Sequence, residues 1–144
     1  MWDRRFIHLA EHIASWSKDP STKVGAVIVD AKRRVISMGY NGFPRGLSDD
    51  GRLNHRDTKL ALTLHAEANA ILFAKCDLVG ATIYIWPMMP CSHCASLIIQ
   101  SGITRVVSIP NSNERWHDSF ALSEVMFEEA NVSLDMLPIP YPGS

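Results

Sequence analysis

Apolar positions along the chain fall into two periods. Phe6, Ala10, Ile13, Ala14 and Ser17 recur at helical spacing, and Lys18-Asp19-Pro20 ends that stretch. Lys23 to Asp30 (KVGAVIVD) is a nearly continuous apolar run, the pattern of a strand covered on both faces. A polar turn at Ala31-Lys32-Arg33 returns it into Arg34 to Tyr40 (RVISMGY), which predicts a hairpin. Asn41 to Lys59 is rich in Gly, Asp and Asn, carries Pro44, and reads as a long functional loop.

Beyond the loop the pattern becomes regular. The Ala-rich run from His65 to Ala74 predicts a helix, and Ala81 to Trp86 (ATIYIW) a strand. Cys91 to Gln100 is an apolar helix that Gly102 stops. Arg105 to Ile109 is a strand, Asp118 or Ser119 caps a helix running to about Ala130, and Val132 to Leu137 is the last strand. The order α-β-β-α-β-α-β-α-β predicts an α/β fold. Its mixed five-stranded sheet carries helices on both faces, with the last two strands parallel through a right-handed crossover. Residues 1–137 read as one domain. The Pro-rich tail 138–144 reads as irregular chain wrapped over the surface or a neighbour.

Composition narrows the function classes. The chain has 144 residues, enough for one domain whose core needs no disulfides. A formal net charge of −1 gives no electrostatic footprint for nucleic acid or for an anionic membrane, so a small ligand is the simpler partner. The start, Met1-Trp2-Asp3-Arg4-Arg5, is neither a signal-peptide run nor a membrane span. Three cysteines, two of them at C-x-x-C spacing, argue for metal or thiol chemistry in a reducing compartment, and the protein reads as cytoplasmic.

The chemistry concentrates in His65-Ala66-Glu67 and Pro90-Cys91-Ser92-His93-Cys94, each at the expected start of a helix. Cys91 and Cys94 are three apart, so on a first turn their sulfurs share a face. The positive end of a helix dipole favours thiolates there. Two cysteines and one histidine supply three ligands of a tetrahedral Zn²⁺ and leave one position for water, as catalytic zinc sites do. Glu67 is the acid/base partner of that water. Residues two apart on a helix face different ways, so His65 and Glu67 can cooperate only if the metal lies beyond the helix end. H-x-E followed by P-C-x-x-C, each opening a helix, is the pattern of zinc nucleobase deaminases.

On these residues the chain resembles the cytidine and deoxycytidylate deaminase superfamily, and its deoxycytidylate branch in particular. The likeness takes in Asp19-Pro20-Ser21-Thr22-Lys23-Val24-Gly25-Ala26, Gly39-Tyr40-Asn41-Gly42-Phe43-Pro44-Arg45-Gly46 and Trp116-His117-Asp118-Ser119, besides the two clusters. It implies the three-layer α/β/α cytidine-deaminase-like fold and hydrolytic deamination of dCMP to dUMP by a zinc-activated water. His65, Cys91 and Cys94 would bind one zinc per chain, Glu67 would shuttle protons, and Asn41 would contact the sugar. The loop holding Gly42 and Arg45 resembles one that binds a triphosphate regulator, dCTP or dTTP, with Mg²⁺. The likeness further implies a homo-oligomer, commonly a hexamer.

Several residues carry two readings. Lys23 is a phosphate contact or a solvated lysine, and Arg45 stands similarly. Trp116 stacks on the base or packs in the core or an interface. His8 and His12 read as a solvated helix face, Cys76 as a buried bystander after an apolar helix, and Asp49-Asp50 as a polar loop tip in preference to a magnesium site. Bulky Trp86 and Met88 ahead of Pro90 leave dCTP or a 5-substituted dCMP open as substrate. Two further alternatives are a tRNA adenosine deaminase, which the near-neutral charge opposes, and a non-catalytic zinc nucleotide-binding module, which Glu67 opposes.

Overall fold

The apolar run after Lys23 becomes β1 (Gly25–Val29), in which every residue is buried. The computed structural model describes residues 1–48, 51–111 and 113–140; Asp49, Asp50, Ser112, and 141–144 of the tail lie outside that set. Burial on both faces explains why the run lacks alternation. Ala26 and Ile28 face one core cluster, whereas Val27 and Val29 face the other.

The remaining strands build outward from β1. β2 (Val35–Tyr40) pairs antiparallel with it as the expected hairpin, with a register shift between Ile28 and Val29. β3 (Thr82–Trp86) pairs antiparallel on the other side of β1. β4 (Arg105–Ser108) runs parallel to β3, and β5 (Ser133–Met136) parallel to β4. The sheet is therefore mixed, five-stranded and ordered β2-β1-β3-β4-β5.

Helices cover both faces. α1 (Trp2–Ala14) buries Phe6, Ile7, Ala10 and Ile13 against Val27, Val29, Tyr84 and Val107. After α2 (Arg56–Leu62), the opposite layer is made by α3 (Ala66–Leu72), α4 (Ser92–Ser101) and α5 (His117–Glu129). Their Ala66, Ala70, Ala95, Ile98 and Phe127 join Ala26, Ile28, Ile83, Ile85 and Val106 in the larger core. This is the three-layer α/β/α arrangement. Two glycines set the layer spacing. A Cβ on Gly25 would lie 2.1 Å from the Ala10 carbonyl oxygen, and one on Gly39 would lie 2.5 Å from the Ala70 nitrogen.

Three expectations need correction, the first at the last helix, where α5 begins at His117 with Trp116 as N-cap and neither Asp118 nor Ser119 caps it. The segment from Asn41 to Lys59 is not loop throughout, because a 3-10 turn at Gly51–Asn54 leads into α2. Only Lys59 of α2 is buried, so its composition gave no amphipathic stripe to read. Cys76 is exposed, not buried. The last turn of α3 leaves the core, Lys75 turns the chain at φ 46°, and Ala74 and Leu78 take the buried places. Ile139 of the tail is buried in the α1-side cluster. No helix among the described residues is long and apolar enough to cross a membrane.

Candidate active site

The site is built where two helices begin. His65 is the N-cap of α3 and Cys91 the N-cap of α4, both in extended backbone conformation. Neither side chain caps its own helix, which leaves the imidazole and the thiol available to a ligand. Cys94 lies in the first turn of α4, on the side of Cys91. The geometric condition set by the H-x-E spacing is met: His65 precedes its helix, and Glu67 enters from the first turn.

The His65 Nδ1 atom lies 3.5 Å from Cys91 Sγ and 3.3 Å from Cys94 Sγ. All three donor atoms fall within 4.8 Å of one another. A tetrahedral zinc with bonds of about 2.3 Å to sulfur and about 2.0 Å to nitrogen separates N from S by about 3.5 Å. The triangle fits that ion. Among the described residues the cluster has no fourth His, Cys, Asp or Glu member, so a bound ion keeps a corner for solvent.

Burial and neighbouring groups pull in opposite directions inside the site. Burial pushes the Glu67 carboxyl above the usual carboxylate range, while the His65 imidazole pulls it the other way. His65 is raised mainly by its hydrogen bond with Cys91, against the effect of burial. The Cys91 thiol is held well down by the hydrogen bond from Cys94, and the Cys94 thiol is pushed up by the same contact. A bound divalent cation would favour both sulfurs as thiolates.

The first turn of α4 is braced by α5. Ser92 N donates to Ser119 Oγ at 2.8 Å, and Ser123 Oγ donates to the Pro90 carbonyl at 2.9 Å. Above the cluster lies a cleft of about 730 Å³, its open mouth included. Its floor holds His65, Ala66, Glu67 and Cys91, with Met88 and Met89 beside them. One wall carries Asp19, Ser21, Thr22, Val24 and Asn41; α2 supplies Lys59, Leu60 and Thr63; Arg115, Trp116 and Phe120 close the remaining side. Its mixture of apolar and polar side chains suits a small ligand.

The structure distributes the other candidate residues unevenly. Asn41 lines the cleft and is buried; its Oδ1 accepts from Val24 N, and its Nδ2 donates to the Thr22 carbonyl, both at 2.9 Å. Trp116 lines it too, edge-on to the His65 ring with centroids 6.1 Å apart and stacked on Phe120. Lys23 does not line the cleft, and its Nζ donates to the Ser17 carbonyl. Gly42 pairs its backbone with Leu64, next to His65. Arg45 is exposed, its guanidinium over the Phe73 ring. Neither Gly42 nor Arg45 lines the cleft. Trp86 packs against the α1-side cluster, away from the cleft that Met88 lines.

Two cleft residues went unread in the sequence. Lys59 is 6 % exposed and donates to Asp19 Oδ1 at 3.2 Å and to Ser21 Oγ at 3.1 Å. The i, i+4 spacing of Lys59 and Thr63, just ahead of His65, was the available signal. Arg115 adjoins Trp116, and that adjacency was its only signal.

Comparison with known proteins agrees with this geometry. Residues 1–109 match the model of the cytidine and deoxycytidylate deaminase zinc-binding region. An uncharacterized deaminase of Aliivibrio fischeri is 45 % identical over 141 residues, covering 96 % of this chain and 95 % of that protein. The human deoxycytidylate deaminase is 37 % identical over 141 residues, covering 92 % of this chain and 77 % of its own. The crystal structure of dCMP deaminase from the cyanophage S-TIM5, in complex with dCMP and dUMP, superposes with a TM-score of 0.74. At 22 % identity, with 93 % of this chain and 95 % of that one covered, this likeness speaks to the fold.

Proposed function

The chain belongs to the cytidine and deoxycytidylate deaminase family, and from that membership we propose that it deaminates dCMP to dUMP hydrolytically, feeding thymidylate supply. The observation that carries this reading is the triangle of His65, Cys91 and Cys94, of which His65 and Cys91 line the cleft, with buried Glu67 beside it. Deoxycytidylate deaminases among the relatives support dCMP as the base and sugar combination.

His65, Cys91 and Cys94 would hold the zinc, whose Lewis acidity makes water a nucleophile near neutral pH. Glu67 takes one proton from the attacking water and delivers it to ring N3, then takes the second from the hydroxyl left on C4 and passes it to the amine, which leaves as ammonia. Its burial keeps bulk solvent from competing for those protons. Trp116, held edge-on against His65, forms a wall for the base. Asn41, fixed by Val24 and Thr22, retains a free lone pair and an N–H for the sugar.

The same reading includes a homo-oligomer, a hexamer by family resemblance, to which exposed Leu72, Phe73, Leu122 and Val125 would offer apolar surface. It also includes regulation by dCTP or dTTP with Mg²⁺ at the Gly42–Arg45 loop, whereas Lys23, outside the cleft and bonded to the Ser17 carbonyl, is left out of phosphate binding. Thiolate ligands suit the reducing cytoplasm. The test is a substrate panel of cytidine, dCMP, 5-methyl-dCMP and dCTP, with and without dTTP or dCTP as effector, followed by ultraviolet absorbance and ammonia release. The reading expects dCMP to show the highest kcat/KM. Fastest turnover of dCTP or cytidine, or nucleotide binding without ammonia release, contradicts it.

A further inference from the structure

The charged groups around the cleft are unequally committed. Glu67 is at its floor beside the metal cluster and Asp19 in its wall, while Lys59 and Arg115 supply the positive charge besides His65. Lys59 is already spent. It is buried, and its ammonium is shared between the Asp19 carboxylate and the Ser21 hydroxyl. Asp19 accepts in addition from the backbone of Ser21 at 2.8 Å and Thr22 at 3.1 Å, so that ion pair closes on itself.

Arg115 differs. It is exposed where it lines the cleft, and among the described residues its guanidinium makes no hydrogen bond, ion pair or ring contact. Its backbone is nonetheless fixed. Asn111 Nδ2 donates to the Pro87 carbonyl at 3.2 Å, Asn113 N to Asn111 Oδ1 at 3.0 Å, and Arg115 N to Asn113 Oδ1 at 3.1 Å. The next residue, Trp116, abuts His65. A guanidinium without a partner among the described residues is thus carried beside a tryptophan that packs edge-on against a residue of the metal cluster. Arg115 is therefore the cleft-lining cation that no described residue neutralises, available to the phosphate of a nucleotide whose base reaches that cluster.

We propose that Arg115 is the specificity-determining residue that recognises the substrate's 5′-phosphate, distinguishing a nucleoside monophosphate from a nucleoside. This rests on the dCMP reading above. The planar fork of guanidinium donors matches phosphate oxygens. Lys59 holds the wall in shape and contributes no net charge to the ligand.

The experiment compares the wild-type protein with R115M and R115K on dCMP at 50 mM and 300 mM salt, with zinc content measured on each. R115M is expected to raise the KM for dCMP on the order of tenfold to a hundredfold, with a much smaller change in kcat. R115K should lie between, having the charge without the fork. The wild-type KM should rise with salt, and that dependence should flatten in R115M. Inorganic phosphate should inhibit the wild type competitively and R115M far less. The double variant D19N/K59M, which removes the buried pair without orphaning a charge, should keep the salt dependence.

An unchanged KM in R115M overturns the assignment, as does equal loss of kcat and kcat/KM. Transfer of the salt dependence to D19N/K59M gives the phosphate to Lys59 and overturns it too. Failure of the wild type to turn over dCMP at all is a separate result, which removes the underlying reading.

Discussion

The Asp3 carboxylate grips the Arg105 guanidinium with both oxygens, at 2.9 Å and 2.7 Å, across 102 positions of sequence. It ties the first turn of α1 to β4. Arg105 also donates to Asp135 of β5 at 2.7 Å, and the Tyr84 hydroxyl donates to Asp3 at 2.7 Å. Arg105 holds the Asp3 carboxyl down at about 2.

A lowered carboxyl pKa gives stability that is present above the unfolded value and is lost as the pH falls through the folded one. The window here runs from about 4 down to about 2. Both partners are about one third exposed, so the contribution is discounted to about 1–2 kcal/mol. Urea unfolding of D3N should show that deficit at pH 7 and a shrinking one toward pH 2.5. A deficit independent of pH would remove the ion pair as its cause.

Gly39 brings the catalytic helix against the sheet. A Cβ there would lie 2.5 Å from the Ala70 nitrogen and 2.7 Å from the Ala66 carbonyl oxygen, both backbone atoms that cannot step aside singly. G39A should therefore push α3 outward and cost about 1–3 kcal/mol. Since α3 begins at the His65 and Glu67 cluster, zinc retention under mild chelation should fall with stability. A G39A protein with wild-type thermal midpoint and zinc retention would show that the helix can shift freely.

The buried pair of Lys59 and Asp19 makes a directional prediction. K59M leaves the Asp19 charge buried without its cation and should destabilise by about 3–5 kcal/mol. D19N/K59M should recover most of that, because the orphaned charge is gone. Denaturant unfolding of the three proteins reads this directly. A double variant as unstable as K59M would mean that the pair's hydrogen bonds to Ser21 and Thr22, not its charge balance, hold the wall.

Legibility in the sequence followed the strength of local signals. β1 was readable because burial on both faces demands an unbroken apolar run, and the hairpin followed from the polar turn at Ala31-Lys32-Arg33. The approach of His65 to Cys91 and Cys94 was readable because each cluster opens a helix. The α2 helix was not. Its seven residues have one buried side chain, and that side chain is a lysine. Propensity and periodicity have nothing to register when the segment is held by one ion pair to a residue 40 positions away. Cys76 misled for the opposite reason: the apolar run before it continues past the point where the helix leaves the core. Arg115 carries no local pattern, and only the fold shows that it faces the cleft.

The central claim is that three side chains hold the metal while a fourth moves protons, and Glu67→Gln tests it most directly. Zinc per chain and kcat on dCMP are measured on the same preparation, together with the thermal midpoint. The account predicts one zinc per chain, a near-normal midpoint, and a kcat lower by about 10²–10⁴-fold. Loss of zinc along with activity would make Glu67 a ligand, and wild-type turnover with zinc in place would remove it from the proton path; either result contradicts the account.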